Sequence, residues 1–336
     1  MLETLSDGTA SARYAPDRAA PVAGRARPIV AGLIGLLNHP STLFLTLATV
    51  LASLSALGAM TFAPGAELAL VAGAIVVAGL PHGAADGWIA TRSIARDRLR
   101  VLAFLAGYVC LALLVVGAWR LLPFAGLVTF LIVSAWHFGD DARLGLRPVV
   151  RLSTGTIILS APAVFSPAEV AQAYRILSGA GAEAIVAVQA GLFWPACVIA
   201  VAAAVVNRSE KRDARHWIDL GLLVALSMVA SPLIYFAVYF SGIHSMRHLN
   251  RIVRAEPGPR SRSFWWGLII LTLVAALAGL TAFVWLAGAG RSLDAAGLQV
   301  LFVGLAALTL PHMLLVDGLL PWFGGAARSD RPSAPE

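Results

Sequence analysis

FWWGLIILTLVAALAGLTAFVWLA, residues 264 to 287, runs from end to end without one charged side chain. A helix needs about 20 consecutive apolar residues to cross the hydrocarbon core of a bilayer, and this stretch supplies them. Similar stretches lie near 42–62, 67–90, 101–120, 124–139, 152–165, 184–206, 217–231, 233–250 and 296–320. Those near 124–139, 152–165 and 217–231 are short for a span, which leaves room for a re-entrant segment. The fold class expected from this pattern is all-α, a polytopic transmembrane bundle of about ten helices.

Composition agrees. The 336 residues are 59% hydrophobic and 13% charged, where a soluble domain carries about 25% charged residues. Mean hydropathy is +0.80. The net charge of +7 therefore reads as membrane topology, and no nucleic-acid partner is expected. Cys110 and Cys197 both lie in apolar stretches, so neither a disulfide framework nor a thiolate metal motif is expected.

Residues 1–28, rich in Ala, Pro and Arg, have no periodicity and are expected to form a disordered cytoplasmic tail. No cleavage site follows the first apolar stretch, so a signal peptide is not expected. The connecting segments set the orientation. TRSIARDRLR (91–100), DDARLGLRPVVR (140–151), NRSEKRDAR (207–215) and RIVRAEPGPRSRS (251–263) are strongly basic. The segments between them, FAPGAE (62–67), SPAEVAQAYRILSGAGAE (166–183) and GAGRSLD (288–294), hold few positive charges. Alternation of basic and poor loops follows the positive-inside rule and places both termini on the cytoplasmic side of a bacterial inner membrane.

On that topology the second, fourth, eighth and tenth helices all run inward. They carry His82, His137, the pair His244 and His248, and His312 in their cytoplasmic halves. A bundle could gather these imidazoles into one cluster at that depth. His39 precedes the first span, and His216 beside Arg215 reads as interfacial. GLPHGAADGW (79–88) sets Asp86 one turn after His82, and SAWHFGDDA (134–142) sets Asp140 and Asp141 three and four residues after His137. LTLPHMLLVDG (308–318) has Asp317 five residues after His312. Carboxylates at such offsets can accept a hydrogen bond from a ring nitrogen and fix its tautomer, as around metal ligands. Pro81 and Pro311 each precede a histidine and free a backbone carbonyl. Gly79, Gly83, Gly87 and Gly139 remove bulk and permit close approach.

Each feature also has a plainer reading. One intramembrane histidine can simply join two helices by a hydrogen bond. The HxxxH of YFSGIHSMRHLN (239–250), beside Arg247 and Arg251, can be interfacial. Asp140 and Asp141 can cap a helix, and Asp86 and Asp317 can pair with loop arginines. The shared depth of five imidazoles, three of them in motifs with a nearby Asp, points instead to a metal or cofactor site. Imidazoles without thiolates suit Zn, Cu, Fe or Ni, and haem is the main competitor. A single HxxxH speaks against a di-iron hydroxylase or desaturase. The absence of GxSxG and Walker-type loops leaves serine hydrolysis and ATP use unsupported.

GLPHGAADGW, SAWHFGDDA, YFSGIHSMRH and the terminal PHMLLVD resemble, in order and spacing, the Brp/Blh family of bacterial β-carotene 15,15′-dioxygenases. The resemblance covers residues 67–322. Residues 29–66 then form an additional N-terminal transmembrane segment and 323–336 a cytoplasmic tail. Ala85 stands where the family commonly has a larger aliphatic residue. The resemblance implies O2-dependent cleavage of β-carotene at its central double bond to two molecules of retinal. It also implies non-haem Fe(2+) held by His82, His137, His244 and His248. His312 is expected at the site, as a ligand or beside one. Asp86, Asp140, Asp141 and Asp317 would orient the imidazoles. Trp88, Trp136, Phe138, Tyr235, Phe236, Tyr239 and Phe240 are candidates for the wall of an apolar tunnel open to membrane lipid, with ordinary packing as their alternative. A retinal product implies a functional link to a retinal-binding rhodopsin. The other readings are a haem-binding or metal-transporting membrane protein, and a catalytically inactive relative that binds carotenoid.

Overall fold

A computed structural model describes residues 40–57, 65–93, 98–139, 141, 146–206, 211–255 and 262–316. Every regular element among them is helical. The expected tails, His39, Asp140 and Asp317 lie outside the described residues. The α-helices are α1 (Pro40–Ala56), α2 (Ala66–Ala74), α3 (Leu80–Ala84), α4 (Asp86–Ser93), α5 (Arg98–Leu121), α6 (Pro123–Phe138) and α7 (Pro148–Phe165). They continue as α8 (Pro167–Ser178), α9 (Ala182–Val206), α10 (Lys211–Ser227), α11 (Pro232–Ala237), α12 (Met246–Ala255), α13 (Arg262–Gly288) and α14 (Leu293–Val316). Two π-helical stretches complete the order: π1 (Ile75–Gly79) between α2 and α3, and π2 (Val238–Ser245) between α11 and α12.

Among the described residues, six helical runs are long and apolar enough to cross a membrane: Ala66–Thr91, Leu99–Leu121, Pro148–Phe165, Ala182–Val206, Arg262–Gly288 and Leu293–Val316. Pro123–Phe138 is a shorter apolar helix. Leu113, Leu114 and Val109 on α5, and Leu273, Leu277 and Val284 on α13, are exposed. Helices that are apolar all round and yet scarcely buried against protein are what a lipid-facing bundle edge requires.

The core centres on α7, which packs most extensively against α9 and also against α6, α8 and α10. Ile157, Ile158 and Ala161 of α7 meet Phe193 and Ala196 of α9 and Leu223 and Leu226 of α10. Small residues let α6 and α7 approach closely. A Cβ on Gly155 would stand 1.7 Å from the Ala135 carbonyl oxygen, and one on Gly139 would stand 1.9 Å from that of Arg151. These contacts fix the end of α6 that carries His137.

Two local expectations change. Segment 166–183, read as a polar connection, folds into α8. Pro167 occupies its first turn and Gly179, with φ 72°, ends it. Val170, Ala171 and Leu177 are buried, while its carbonyl ends are met by side chains from other helices. Trp119 Nε1 donates to Leu177 O (3.0 Å) and Gln299 Nε2 to Ile176 O (3.1 Å). In so apolar a chain, a helix with one polar face looks like a loop. His216, read as interfacial, is buried and packs edge-on against Trp217, with ring centres 4.8 Å apart.

Candidate metal centre

Pro81 has no N–H to give to the carbonyl of Val77, four residues earlier. That break falls in π1, whose wider turn carries the chain to His82. π2 contains His244 in the same way. Single π turns within α-helices are frequent at functional sites because they re-aim side chains. The two π stretches touch. Gly79 has no Cβ, and one placed there would meet the Phe240 ring at 2.9 Å. Phe240 therefore seats against π1, stacks on His244 (ring centres 5.7 Å apart, planes at 19°) and meets His82 edge-on at 5.4 Å.

Five histidines from four separate runs of the chain come together, all of them buried. Ring centres are 5.2 Å apart for His82–His244, 5.7 Å for His82–His248, 5.2 Å for His82–His312 and 4.9 Å for His137–His244. They are 5.3 Å apart for His137–His312 and 5.1 Å for His248–His312. An imidazole nitrogen bonds a metal ion such as zinc at about 2.1 Å. Adjacent rings sharing one ion then have centres about 4.5–5.5 Å apart, which is close to the spacing seen.

The outward nitrogens are held by the protein. Nδ1 of His82 contacts the Gly79 carbonyl and lies 2.9 Å from Ser245 Oγ. Nδ1 of His244 lies 2.6 Å from Asp141 Oδ1, and Asp141 Oδ2 accepts from the Tyr239 hydroxyl at 2.6 Å. Nδ1 of His312 lies 2.9 Å from both oxygens of Asp86, which also accepts from the Tyr108 hydroxyl at 3.0 Å. Nε2 of His244 and of His248 is buried with no hydrogen-bond partner, an arrangement that costs free energy unless something binds there. Ligand atoms of Asp86, His248 and His312 also lie within 4.8 Å of one another. The donor set and its buried, unanswered nitrogens fit a late first-row metal ion.

The carboxylates reach across helices. Asp86 pairs with His312 instead of the neighbouring His82, and Asp141 with His244 instead of His137. Burial works against the charge on Asp141. His244 beside it, the hydrogen bonds from His244 and Tyr239, and the nearby Arg247 outweigh that and hold the carboxyl well below the usual range. Asp141 is thus an ionised acceptor, which keeps the proton of His244 on Nδ1 and turns Nε2 inward.

Of the aromatic candidates, Phe138, Tyr239 and Phe240 meet the cluster, and Phe236 stacks behind Phe240 at 5.3 Å. Trp88 packs on Phe264, Trp136 lies beneath the Arg151 guanidinium, and Tyr235 donates to Ile158 O (2.7 Å). Three site groups escaped the sequence reading. Tyr108 lies outside the motifs, and Ser245 lies inside YFSGIHSMRH directly after His244. Asp219, buried on α10, pairs with Arg247 and accepts from Ser41 and Thr42 of α1 at 2.7 Å each, bracing the turn between His244 and His248. Arg247 and Arg251, which stand beside the HxxxH pair, are drawn inward: Arg251 donates to the Asp141 carbonyl at 2.6 Å.

The family model described as "Beta-carotene 15,15'-dioxygenase" matches residues 73–320. The chain is 32% identical over 256 residues to the beta-carotene 15,15'-dioxygenase of uncultured marine bacterium 66A03, covering 72% of this chain and 90% of that protein. It is 26% identical over 347 residues to the probable beta-carotene 15,15'-dioxygenase Blh of Halobacterium salinarum, covering 89% and 96%. No solved structure matches. All five clustered histidines fall within the matched region, and the chain belongs to the beta-carotene 15,15'-dioxygenase family.

Proposed function

We propose that this chain is an integral-membrane dioxygenase that cleaves β-carotene at the central 15,15′ double bond with O2, giving two molecules of all-trans-retinal. The observation that carries the reading is the buried five-histidine cluster, inside the family-matched region of an apolar helical protein. Fe(2+) is the proposed ion, held by His82, His137, His244 and His248. When bound, it supplies the activation of O2 that oxidative cleavage needs.

The protein's own residues prepare the site. Asp141 and the Gly79 carbonyl engage the outer nitrogens of His244 and His82, so their inner nitrogens are available as neutral ligands. Phe138 and Phe240 close apolar surfaces over the imidazoles, which excludes water and suits a polyene that offers nothing to hydrogen-bond. Phe236 and Phe302, ring centres 5.0 Å apart, continue that surface away from the cluster. No side chain need act as nucleophile or general base. β-Carotene enters laterally from membrane lipid. The basic connecting segments support a position for the cluster in the cytoplasmic half of a bacterial inner membrane, and the retinal formed would serve a retinal-binding rhodopsin. Residues 67–322 are the catalytic unit, and 29–66 an added segment.

A haem held by two of these imidazoles would need a planar gap between rings whose centres are 4.9–5.7 Å apart and already in mutual edge contact. One ion needs no such gap. Expression in β-carotene-producing bacteria tests the proposal: cells should lose their orange colour and yield retinal on chromatography. Unchanged carotene with the protein present in the membrane would reject it.

A further inference from the structure

His312 has the same relation to the cluster as the four imidazoles already assigned to the ion. Its ring centre lies 5.2 Å from His82, 5.3 Å from His137 and 5.1 Å from His248. The four span 4.9–5.7 Å among their own neighbouring pairs. Its Nδ1 meets a buried carboxylate, as that of His244 does. Two Tyr–Asp–His chains reach the cluster from different segments of the chain. One is Tyr239–Asp141–His244, with links of 2.6 Å and 2.6 Å. The other is Tyr108–Asp86–His312, with links of 3.0 Å and 2.9 Å. A histidine that merely filled space would gain nothing from a buried carboxylate, which is costly to bury. The oxygens of Asp86 are engaged by His312 and Tyr108, and ligand atoms of Asp86, His248 and His312 lie within 4.8 Å of one another.

We propose that His312 is a fifth nitrogen ligand of the same ion, with Asp86 and Tyr108 as positioning residues that hold its ring. The inference rests on the four-imidazole reading above and extends it. Five imidazoles would leave fewer positions on the ion open than four. Tyr108 also spans two helices, since its hydroxyl lies 3.2 Å from Leu308 O on α14 as well as reaching Asp86 on α4.

The full chain, purified in detergent and loaded with Co(2+), gives a direct readout, because visible cobalt bands respond to ligand number independently of activity. Wild type should bind one Co(2+). His312→Ala should still bind it through the remaining imidazoles, but with shifted and stronger visible bands, and added free imidazole should restore the wild-type spectrum. Tyr108→Phe and Asp86→Asn should keep the protein folded and weaken cobalt binding by about 10- to 100-fold. A His312→Ala spectrum and affinity identical to wild type would overturn the fifth ligand while leaving the other four in place. If that variant does not accumulate, wild-type spectra and affinity in both Tyr108→Phe and Asp86→Asn would overturn it equally. Wild type binding no cobalt would instead remove the four-imidazole reading.

Discussion

Single hydrogen bonds decide what the histidines can do. An imidazole has one basic nitrogen, and the partner of the other nitrogen determines which one it is. Asp141 accepts from His244 and Tyr239 at once, and its ionised state keeps His244 Nε2 turned into the cluster. Asp141→Asn removes the charge while keeping the shape. Metal affinity should fall by about 10- to 100-fold, the range typical for losing a partner of a metal-bound histidine. Tyr239→Phe leaves the His–Asp link intact and should cost less. Metal per chain after dialysis against graded chelator checks both, and retention equal to wild type in Asp141→Asn would contradict the role given to it. His82→Ala, His137→Ala, His244→Ala or His248→Ala should each abolish retinal formation while the protein still inserts, as measured by chromatography alongside immunodetection of the membrane fraction.

Helix pairing sets where those residues sit, and glycines control it. Gly155→Ala would drive a methyl into the Ala135 carbonyl, a backbone atom that cannot rotate away. The α6–α7 pair should open at a cost of about 1–3 kcal/mol, lowering the thermal midpoint in detergent and loosening His137. Gly83→Ala makes the contrast, since nothing lies within 4 Å of its added carbon. There the helix should gain about 0.5–1 kcal/mol, and a large loss of stability would show that the packing is misassigned. The same scale explains what could be read in advance. Long apolar runs reveal helices such as α5, α9, α13 and α14 because lipid demands length and apolarity together. Histidines in such runs stand out for the same reason. The pairing of Asp86 with His312 and of Asp141 with His244 was not legible, because sequence offsets report neighbours on one helix and these contacts cross between helices 226 and 103 residues apart. Asp219 and Tyr108 escaped for that reason too. α8 was hidden by its own polar face.

Across the whole molecule, apolar helices with little burial surround a polar centre that is almost wholly enclosed. α5 and α13 offer apolar side chains outward, while His82, Asp86, Asp141, His244, His248 and His312 are all buried. This is the inverse of a soluble enzyme's surface and suits a substrate dissolved in lipid. If the basic segments are cytoplasmic, a C-terminal fluorescent-protein fusion should glow and a C-terminal alkaline phosphatase fusion should stay inactive; the reverse pattern would turn the bundle over. A histidine cluster that is an iron site for cleaving β-carotene has a direct test. Protein purified in detergent, stripped of metal and given β-carotene and O2, should form two retinals per carotene consumed only after Fe(2+) is restored. Retinal formation at the same rate without iron, or none with the iron site fully loaded, would contradict it.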